Sequence, residues 1–338
     1  MKTAGILQPL GVTMGCPVGV GPELLLRLFN RPQADLVVVG DPTVLTRCAD
    51  HLGDAVTVVD WQPDQDIVAG TIPVYCPPGA GCRFSEWGQP NSVTGKAMGR
   101  WIEETVALVQ SGVFSGMVTC PITKTALQSG GYNFPGHTEM LAELCQTKEY
   151  GMMMAGSSLR VTLVTIHTPL SAVAPALTID TVFAMITRTH QALAVDFGFN
   201  SPRLAVAGLN PHAGEGGMFG DEESLVIEPA VRLAREAGMD VTGPFPPDTV
   251  FNKAVRGDFD GVVCMYHDQG LIPFKLLHFS DGVNVTFGLP IVRTSVDHGT
   301  AYDIAGQGIA DPASLLAACD LARTIVINRN LVKGESNV

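Results

Sequence analysis

Three histidines occupy the same kind of place in this chain. His167 ends the run LRVTLVTIH, His212 follows RLAVAGLNP, and His267 follows GVVCMY. Each closes an apolar, β-rich stretch, so each is predicted to project from the carboxyl edge of a sheet, where α/β proteins bind their ligands. Three neutral imidazoles with coordination positions left over would hold a catalytic divalent ion such as Zn²⁺. The separations along the chain are long, so spacing itself contributes nothing. A histidine after a strand also serves as a hydrogen-bonded core residue, and it is the threefold repetition that favours a ligand set. His51 and His190, in polar helical stretches, and His278, in a loop, read as structural or solvated.

The segment 260–308 supplies the rest of a reactive surface. Its apolar run 261–266 delivers His267 and Asp268 to a predicted glycine turn. Lys275, Asn284 and Arg293 follow on short pieces punctuated by Gly and Pro. One metal ligand, two cations and a polar amide make an anion-binding surface. Lys275 and Arg293 are its natural clamps for phosphate or carboxylate, because charge-assisted pairs are the strong ones.

Four other motifs read in two ways. GCPVGVGPELLL, 15–26, is a well-made helix entry with Pro22 at the first position and Glu23 in the first turn, or an anion site on the helix amides. It is not the dinucleotide fingerprint, whose third glycine would fall at Leu24. In TCPITKTAL, 119–127, Lys124 opens a helix and either meets a substrate anion or stays solvated. In NFPGHTEML, 133–141, Thr138 is the expected N-cap with His137 just before it; the pair binds an anion or forms an ordinary capping turn. GLNPHAGEGGMFGDEE, 208–223, reads as a flexible glycine loop that closes over a ligand, or as a long surface loop. Asp221, Glu222 and Glu223 are expected to open the helix after it.

The elements that position these residues alternate. Apolar β-rich runs at 36–40, 55–60, 116–120, 150–155, 159–167, 203–209 and 261–266 are separated by helical periodicity at 93–110, 138–145, 179–195 and 222–237. Such alternation predicts an α/β architecture with a largely parallel sheet. The runs 150–155 and 159–167, joined by a short Gly-Ser-Ser turn, predict a hairpin and hence a mixed sheet. A helical tail at 312–331 is expected to return to the first domain.

Composition sets the outer bounds. The 338 residues suffice for two domains, and 46% hydrophobic with 16% charged residues fits a soluble globular protein. A net charge of -12 argues against nucleic acid and anionic membranes, although a few cations still build a positive pocket for an anionic small molecule. Eight cysteines form no C-x-x-C pair and read as free thiols. The N-terminal stretch makes a poor leader, and no run approaches the roughly 18 apolar residues of a membrane span. A cytoplasmic location is expected.

Taken in order, GxGPEL at 19–24, PGHTE at 135–139, GLNPHAGEGG at 208–217, MYHDQGL at 265–271, GVN at 282–284 and GLPIVRTSVDHGTA at 288–301 resemble the 4-hydroxythreonine-4-phosphate dehydrogenase family of pyridoxal phosphate biosynthesis. DHGTAYDIAGQGIADP also resembles the cofactor loop of isopropylmalate dehydrogenases. The resemblance implies a two-domain isocitrate/isopropylmalate dehydrogenase-like fold with mixed sheets and the active site in the interdomain cleft. The first domain would span 1–129 plus 307–338, the second 130–306.

The resemblance further implies a divalent metal (Zn, Mg or Co) on His167, His212 and His267. It implies substrate contacts from His137, Thr138, Lys275, Asn284 and Arg293, and NAD or NADP bound at His298, Gly299, Thr300 and Asp303. The partners it implies are a small phosphorylated hydroxy-amino-acid substrate and a second subunit. The latter would form a homodimer with a shared active site, one metal histidine coming from the neighbour. The implied reaction is oxidation of 4-phosphohydroxy-L-threonine to a β-keto acid that loses CO₂, with Lys275, or a water relayed to Asp268, as the base. Same-fold alternatives are dehydrogenases of erythronate or threonate 4-phosphate or of a terephthalate cis-dihydrodiol. Alternatives of another class are an acyl or phosphoryl transferase and a non-catalytic binding protein. Cys16, Cys120 and Thr123 depart from the family pattern and bear on the substrate.

Overall fold

The structure is a computed structural model and describes residues 8–31, 33–82 and 86–335. Residues 1–7, where the poor leader was read, lie outside the described residues. The chain packs as two compact units, Met1–Lys148 with Leu289–Arg323, and Glu149–Gly288 with Thr324–Val338. The expected boundaries, 129/130 and 306/307, differ from these. Residues 130–148 and 289–306 go with the first unit because the helix at 137–144 packs on the one at 92–110 and the strand at 293–296 pairs with the one at 116–119.

The first unit begins with β1 (Leu10–Thr13), α1 (Gly21–Phe29), β2 (Leu36–Val39), α2 (Pro42–Leu52), β3 (Val58–Asp60) and β4 (Ile72–Tyr75). It continues with α3 (Ser92–Gln110), β5 (Gly116–Thr119), α4 (Lys124–Ser129) and α5 (His137–Leu144). The second unit holds β6 (Gly151–Ala155), β7 (Arg160–Leu163), α6 (Leu170–Ala176), α7 (Ile179–Val195) and β8 (Arg203–Ala207). After these come α8 (Glu228–Glu236), β9 (Asp240–Phe245), α9 (Val250–Val255), β10 (Gly261–Cys264), α10 (His267–Leu277) and β11 (Val283–Phe287). The chain then gives β12 (Arg293–Val296) to the first unit and ends in α11 (Ala313–Glu335), whose residues divide between the units at Arg323/Thr324. The expected return of the tail to the first domain thus holds for the first part of α11 alone.

The α/β architecture predicted from the alternation is what the chain adopts. In the first unit the strand order is β3-β4-β2-β1-β5-β12, parallel throughout. All of these but β3 are buried along their length, as parallel strands covered by helices on both faces must be. In the second unit the order is β11-β6-β7-β10-β8-β9. There β6 runs against both its neighbours while β7, β10, β8 and β9 run together, so the predicted hairpin makes this sheet mixed. Its core is apolar: Met154, Val161, Leu163, Ala205, Val262 and Phe274 are each almost wholly buried.

Helix starts follow local chemistry. Asp41 caps α2 by accepting from Thr43 N at 2.8 Å. Asn91 with Thr94, and Thr178 with Thr181, form reciprocal capping boxes on α3 and α7, each satisfying two otherwise orphaned groups. No single described helix is long and apolar enough to cross a membrane.

Candidate active site

The order β7-β10-β8 sets three carboxyl ends side by side, and His167, His267 and His212 follow those three ends. Pairing runs on past the first two strands. Val164 N donates to Cys264 O at 2.9 Å, and both the amide and hydroxyl of Thr165 donate to Met265 O, at 3.2 and 2.8 Å. Held in register to that point, the His167 and His267 rings come to 6.0 Å between centroids. His267 Nδ1 lies 2.7 Å from Asp268 Oδ1. In the neutral ring that contact puts the proton on Nδ1 and leaves Nε2 as the lone-pair donor, the usual arrangement behind a metal-binding imidazole. His267 and Asp268 open α10, and Gly270 lies inside that helix, so the predicted glycine turn is absent. Without a Cβ, Gly270 lets the helix sit against Leu163 and Cys264.

His212 has other surroundings. Its ring is 6.1 Å from that of Phe219, and among the described residues no group of three His, Cys, Asp or Glu side chains has metal-holding geometry. One chain therefore brings two of the three predicted imidazoles together. The loop carrying the third is a left-handed helical turn, Pro211–Gly217. Its φ values are +53 at His212, +54 at Ala213, +78 at Gly214, +41 at Glu215 and +66 at Gly216. L-residues pay roughly 1–2 kcal/mol each for this hand, so His212, Ala213 and Glu215 need restraint from outside the turn.

Glu223 provides it. Its carboxylate is 2% exposed and accepts the backbone N–H groups of Leu209 and Asn210, both at 2.7 Å, and Asn210 Nδ2 at 3.0 Å. The entry to the glycine loop is thus fastened. Glu223 opens a π-helical turn, Glu223–Ile227, that leads into α8. The acidic run 221–223, expected to open a helix, thus also holds the entry to the turn through Glu223.

The other predicted contacts lie on both units. In the first, Arg293 on β12 is 3% exposed and its Nη2 donates to Thr119 Oγ1 at 2.8 Å. Burial lowers its pKa to about 10, with Glu139 opposing the shift, so it remains a cation at neutral pH. His137, the first residue of α5, is held well below the ordinary imidazole range by burial and then by the Arg293 charge. Its Nε2 is buried with no hydrogen-bond partner. Buried polar atoms are as a rule paired, so this covered, unsatisfied nitrogen under the field of a buried guanidinium is an exception. Thr138 lies inside the first turn of α5 rather than at the cap, which is Gly136 with no side-chain bond. In the second unit Lys275 stands in the last turn of α10, and Asn284 is on β11, with its Nδ2 3.4 Å from Met152 Sδ.

The loop after β12 is woven into the first unit. Thr300 O accepts Val20 N at 3.0 Å, and Tyr302 OH donates to Cys16 Sγ at 3.3 Å. Glu23 Oε1 accepts Ala310 N at 2.7 Å, and an Arg27 Nη2 donates to Gly308 O. Thus Glu23, expected as a first-turn acid, is a buried tether. Gly19 allows the loop's close approach, since a Cβ there would sit 2.9 Å from Thr300 O. Cys16 is a buried thiol whose pKa burial raises. His298 and Gly299 are exposed, and a Cβ on Gly299 would meet nothing within 4 Å. His51 and His278 are structural, as expected: His51 Nε2 holds Gly306 O at 3.1 Å, and buried His278 contacts Ser158 Oγ at 2.8 Å.

The chain matches the family model of the pyridoxal phosphate biosynthetic protein PdxA over residues 32–322. It belongs to that family. Among PdxA-family relatives, a 4-hydroxythreonine-4-phosphate dehydrogenase of Desulfosudis oleivorans is 53% identical over 93% of this chain and 94% of its own. The crystal structure of the enzyme of that name from Klebsiella pneumoniae superposes with a TM-score of 0.86 at 38% identity, covering 94% of this chain and 99% of its own. A terephthalate 1,2-cis-dihydrodiol dehydrogenase from Burkholderia xenovorans is similar at 28% identity and a TM-score of 0.65, covering 94% and 98%. With its PdxA relatives, the chain is an oxidoreductase. The His167–His267 pair is chemically suited to a borderline divalent ion, with Asp268 as the carboxylate behind one ring.

Proposed function

We propose that this chain is a metal-dependent 4-hydroxythreonine-4-phosphate dehydrogenase. It oxidises 4-phosphohydroxy-L-threonine with NAD or NADP to a β-keto acid that decarboxylates to 3-amino-2-oxopropyl phosphate, in the formation of pyridoxal 5′-phosphate. The observation that carries the reading is the meeting of His167 and His267, with Asp268 behind the second ring, in a chain of this family. When bound, a divalent ion (Zn, Mg or Co) supplies a Lewis acid for the substrate hydroxyl, and the dinucleotide supplies the hydride acceptor.

The chain's own residues do the rest. His167, His212 and His267 hold the ion; His298, Gly299, Thr300 and Asp303 receive the dinucleotide. Arg293 presents a permanent charge to the substrate's anionic group, and neutral His137 adds a hydrogen bond next to it, with Thr138, Asn284 and Lys275 completing the grip. Lys275 takes the hydroxyl proton. Asp268, tied to His267, orients that ring, so a water relayed to it is the second choice of base.

The active enzyme is a homodimer in which one of the three imidazoles comes from the partner subunit. The exposed apolar side chains Ile272, Leu276 and Phe279, on and just past α10, support such an interface. All eight cysteines are free, which supports a reducing, cytoplasmic location.

The test is purified protein with NAD⁺ or NADP⁺, a divalent metal and four substrates: 4-phosphohydroxy-L-threonine, erythronate 4-phosphate, threonate 4-phosphate and a terephthalate cis-dihydrodiol. Reduced-nicotinamide absorbance should rise with the first. His212→Ala should abolish it with unchanged circular dichroism. Turnover of another substrate alone would overturn the specificity, and full activity after chelation would overturn the metal assignment.

A further inference from the structure

We infer that Glu223 is a positioning residue for His212: its buried carboxylate fastens the left-handed turn that aims the imidazole, and Gln269 ties the root of that turn to the strand end before His267. The inference rests on the reading of His212 and His267 as metal ligands.

A carboxylate this deep must have its oxygens satisfied. Leu209 N, Asn210 N and Asn210 Nδ2 donate to it from one short stretch immediately before the turn. Asn210 Nδ2 also reaches Glu222 Oε2 at 2.7 Å, so two consecutive acids grip one asparagine. The turn is wrapped around the acid: a Cβ on Gly214 would lie 2.7 Å from Glu223 Oε2, and φ there is +78. Oxygens occupied by N–H donors point into the loop, so Glu223 itself is not a ligand. Gln269, 7% exposed, donates to Gly208 O at 2.6 Å and accepts Met265 N at 2.7 Å. It is one side chain bridging the residue that follows β8 and the residue that follows β10. The two histidine-bearing loops are therefore set relative to each other by buried side chains.

The experiment uses the full-length protein and cobalt(II) alone, titrated by its visible absorption and by competition with a chromophoric chelator. Wild type, His212→Ala, Glu223→Ala, Glu223→Gln and Gln269→Leu are compared, with amide hydrogen exchange as a second readout. Glu223→Ala should bind cobalt about 10–100-fold more weakly, the usual effect of losing a residue behind a ligand, with an altered cobalt spectrum. Amides 209 and 210 should exchange faster, while those of β8 and β10 stay protected. Glu223→Gln keeps one acceptor oxygen and should lose less. Gln269→Leu should weaken cobalt in the same direction. At saturating cobalt the Glu223 and Gln269 variants should recover turnover, whereas His212→Ala should not.

Wild-type affinity, spectrum and exchange in Glu223→Gln and Glu223→Ala, with cobalt lost in His212→Ala, would overturn the inference alone. Should Glu223→Ala fail to fold, a wild-type-like Glu223→Gln overturns it. Unchanged cobalt binding in His212→Ala would overturn the ligand assignment beneath it.

Discussion

His267 Nδ1 and Asp268 Oδ1 lie 2.7 Å apart although the residues are adjacent at the start of a helix. Neighbouring residues on a helix do not face each other. The contact therefore requires the ring to lean back over its own helix start, where the first turn is open.

From this contact follows the first prediction. Asp268→Ala should weaken metal binding about tenfold or more, because the ring loses its tautomer and orientation. At saturating metal, kcat should return close to wild type. Titration of the metal dependence of turnover checks it, and a kcat that stays low at every metal concentration would make Asp268 the base.

The second prediction concerns pH. The folded pKa of His137 lies well below the usual 6.5, so the unfolded chain takes up this proton first. Between that depressed value and about 6.5 the unfolded state binds more protons, so stability should rise with pH; above about 6.5 this contribution is complete and flat. Arg293→Met removes one of the two causes and should move the pKa upward. An NMR titration of the His137 ring would show no midpoint near 6.5 in the wild type; a midpoint there would sink the assignment.

The third prediction concerns the second unit's last helical segment. Arg329 holds the carboxylate of Asp196 through Nε at 2.6 Å and Nη2 at 3.0 Å, and Asn328 Nδ2 donates to Asp196 O at 2.8 Å. Asp196 is 3% exposed. Arg329→Met leaves a buried charge unpaired and should cost about 3 kcal/mol. Urea unfolding would register the loss as a lower midpoint, with cobalt affinity at native conditions unchanged.

How much of this was legible in the sequence depended on the period of the signal. β7, β8 and β10 announce themselves as uninterrupted apolar runs, and α3 and α7 as long amphipathic repeats. β4 and β9 were hidden by Pro73 and by Gly243–Pro244, residues that argue against a strand on local grounds. β11 and β12 looked like loop pieces because each is short and flanked by Gly or Pro, yet they carry Asn284 and Arg293. The histidines could be nominated but not grouped. Their proximity is fixed by the spatial order β7-β10-β8, which no local spacing encodes. For a related reason the composition of the glycine loop reports the freedom of its backbone and not the buried acid, Glu223, that anchors its entry. Thr138 lies two residues past the cap, because Gly136 starts the helix without a side-chain cap.

The late arrival of β12 has a consequence for biosynthesis. Residues 149–288, which carry every strand of the second unit's sheet, leave the ribosome as one uninterrupted stretch. The first unit must wait: β5 has its outer neighbour only once residues 293–296 are made. Throughout that interval a nascent polypeptide displays a buried-type strand with a bare hydrogen-bonding edge, the feature that invites intermolecular pairing. Release from the ribosome before β12 is translated should therefore yield fragments that depend on chaperones for their solubility.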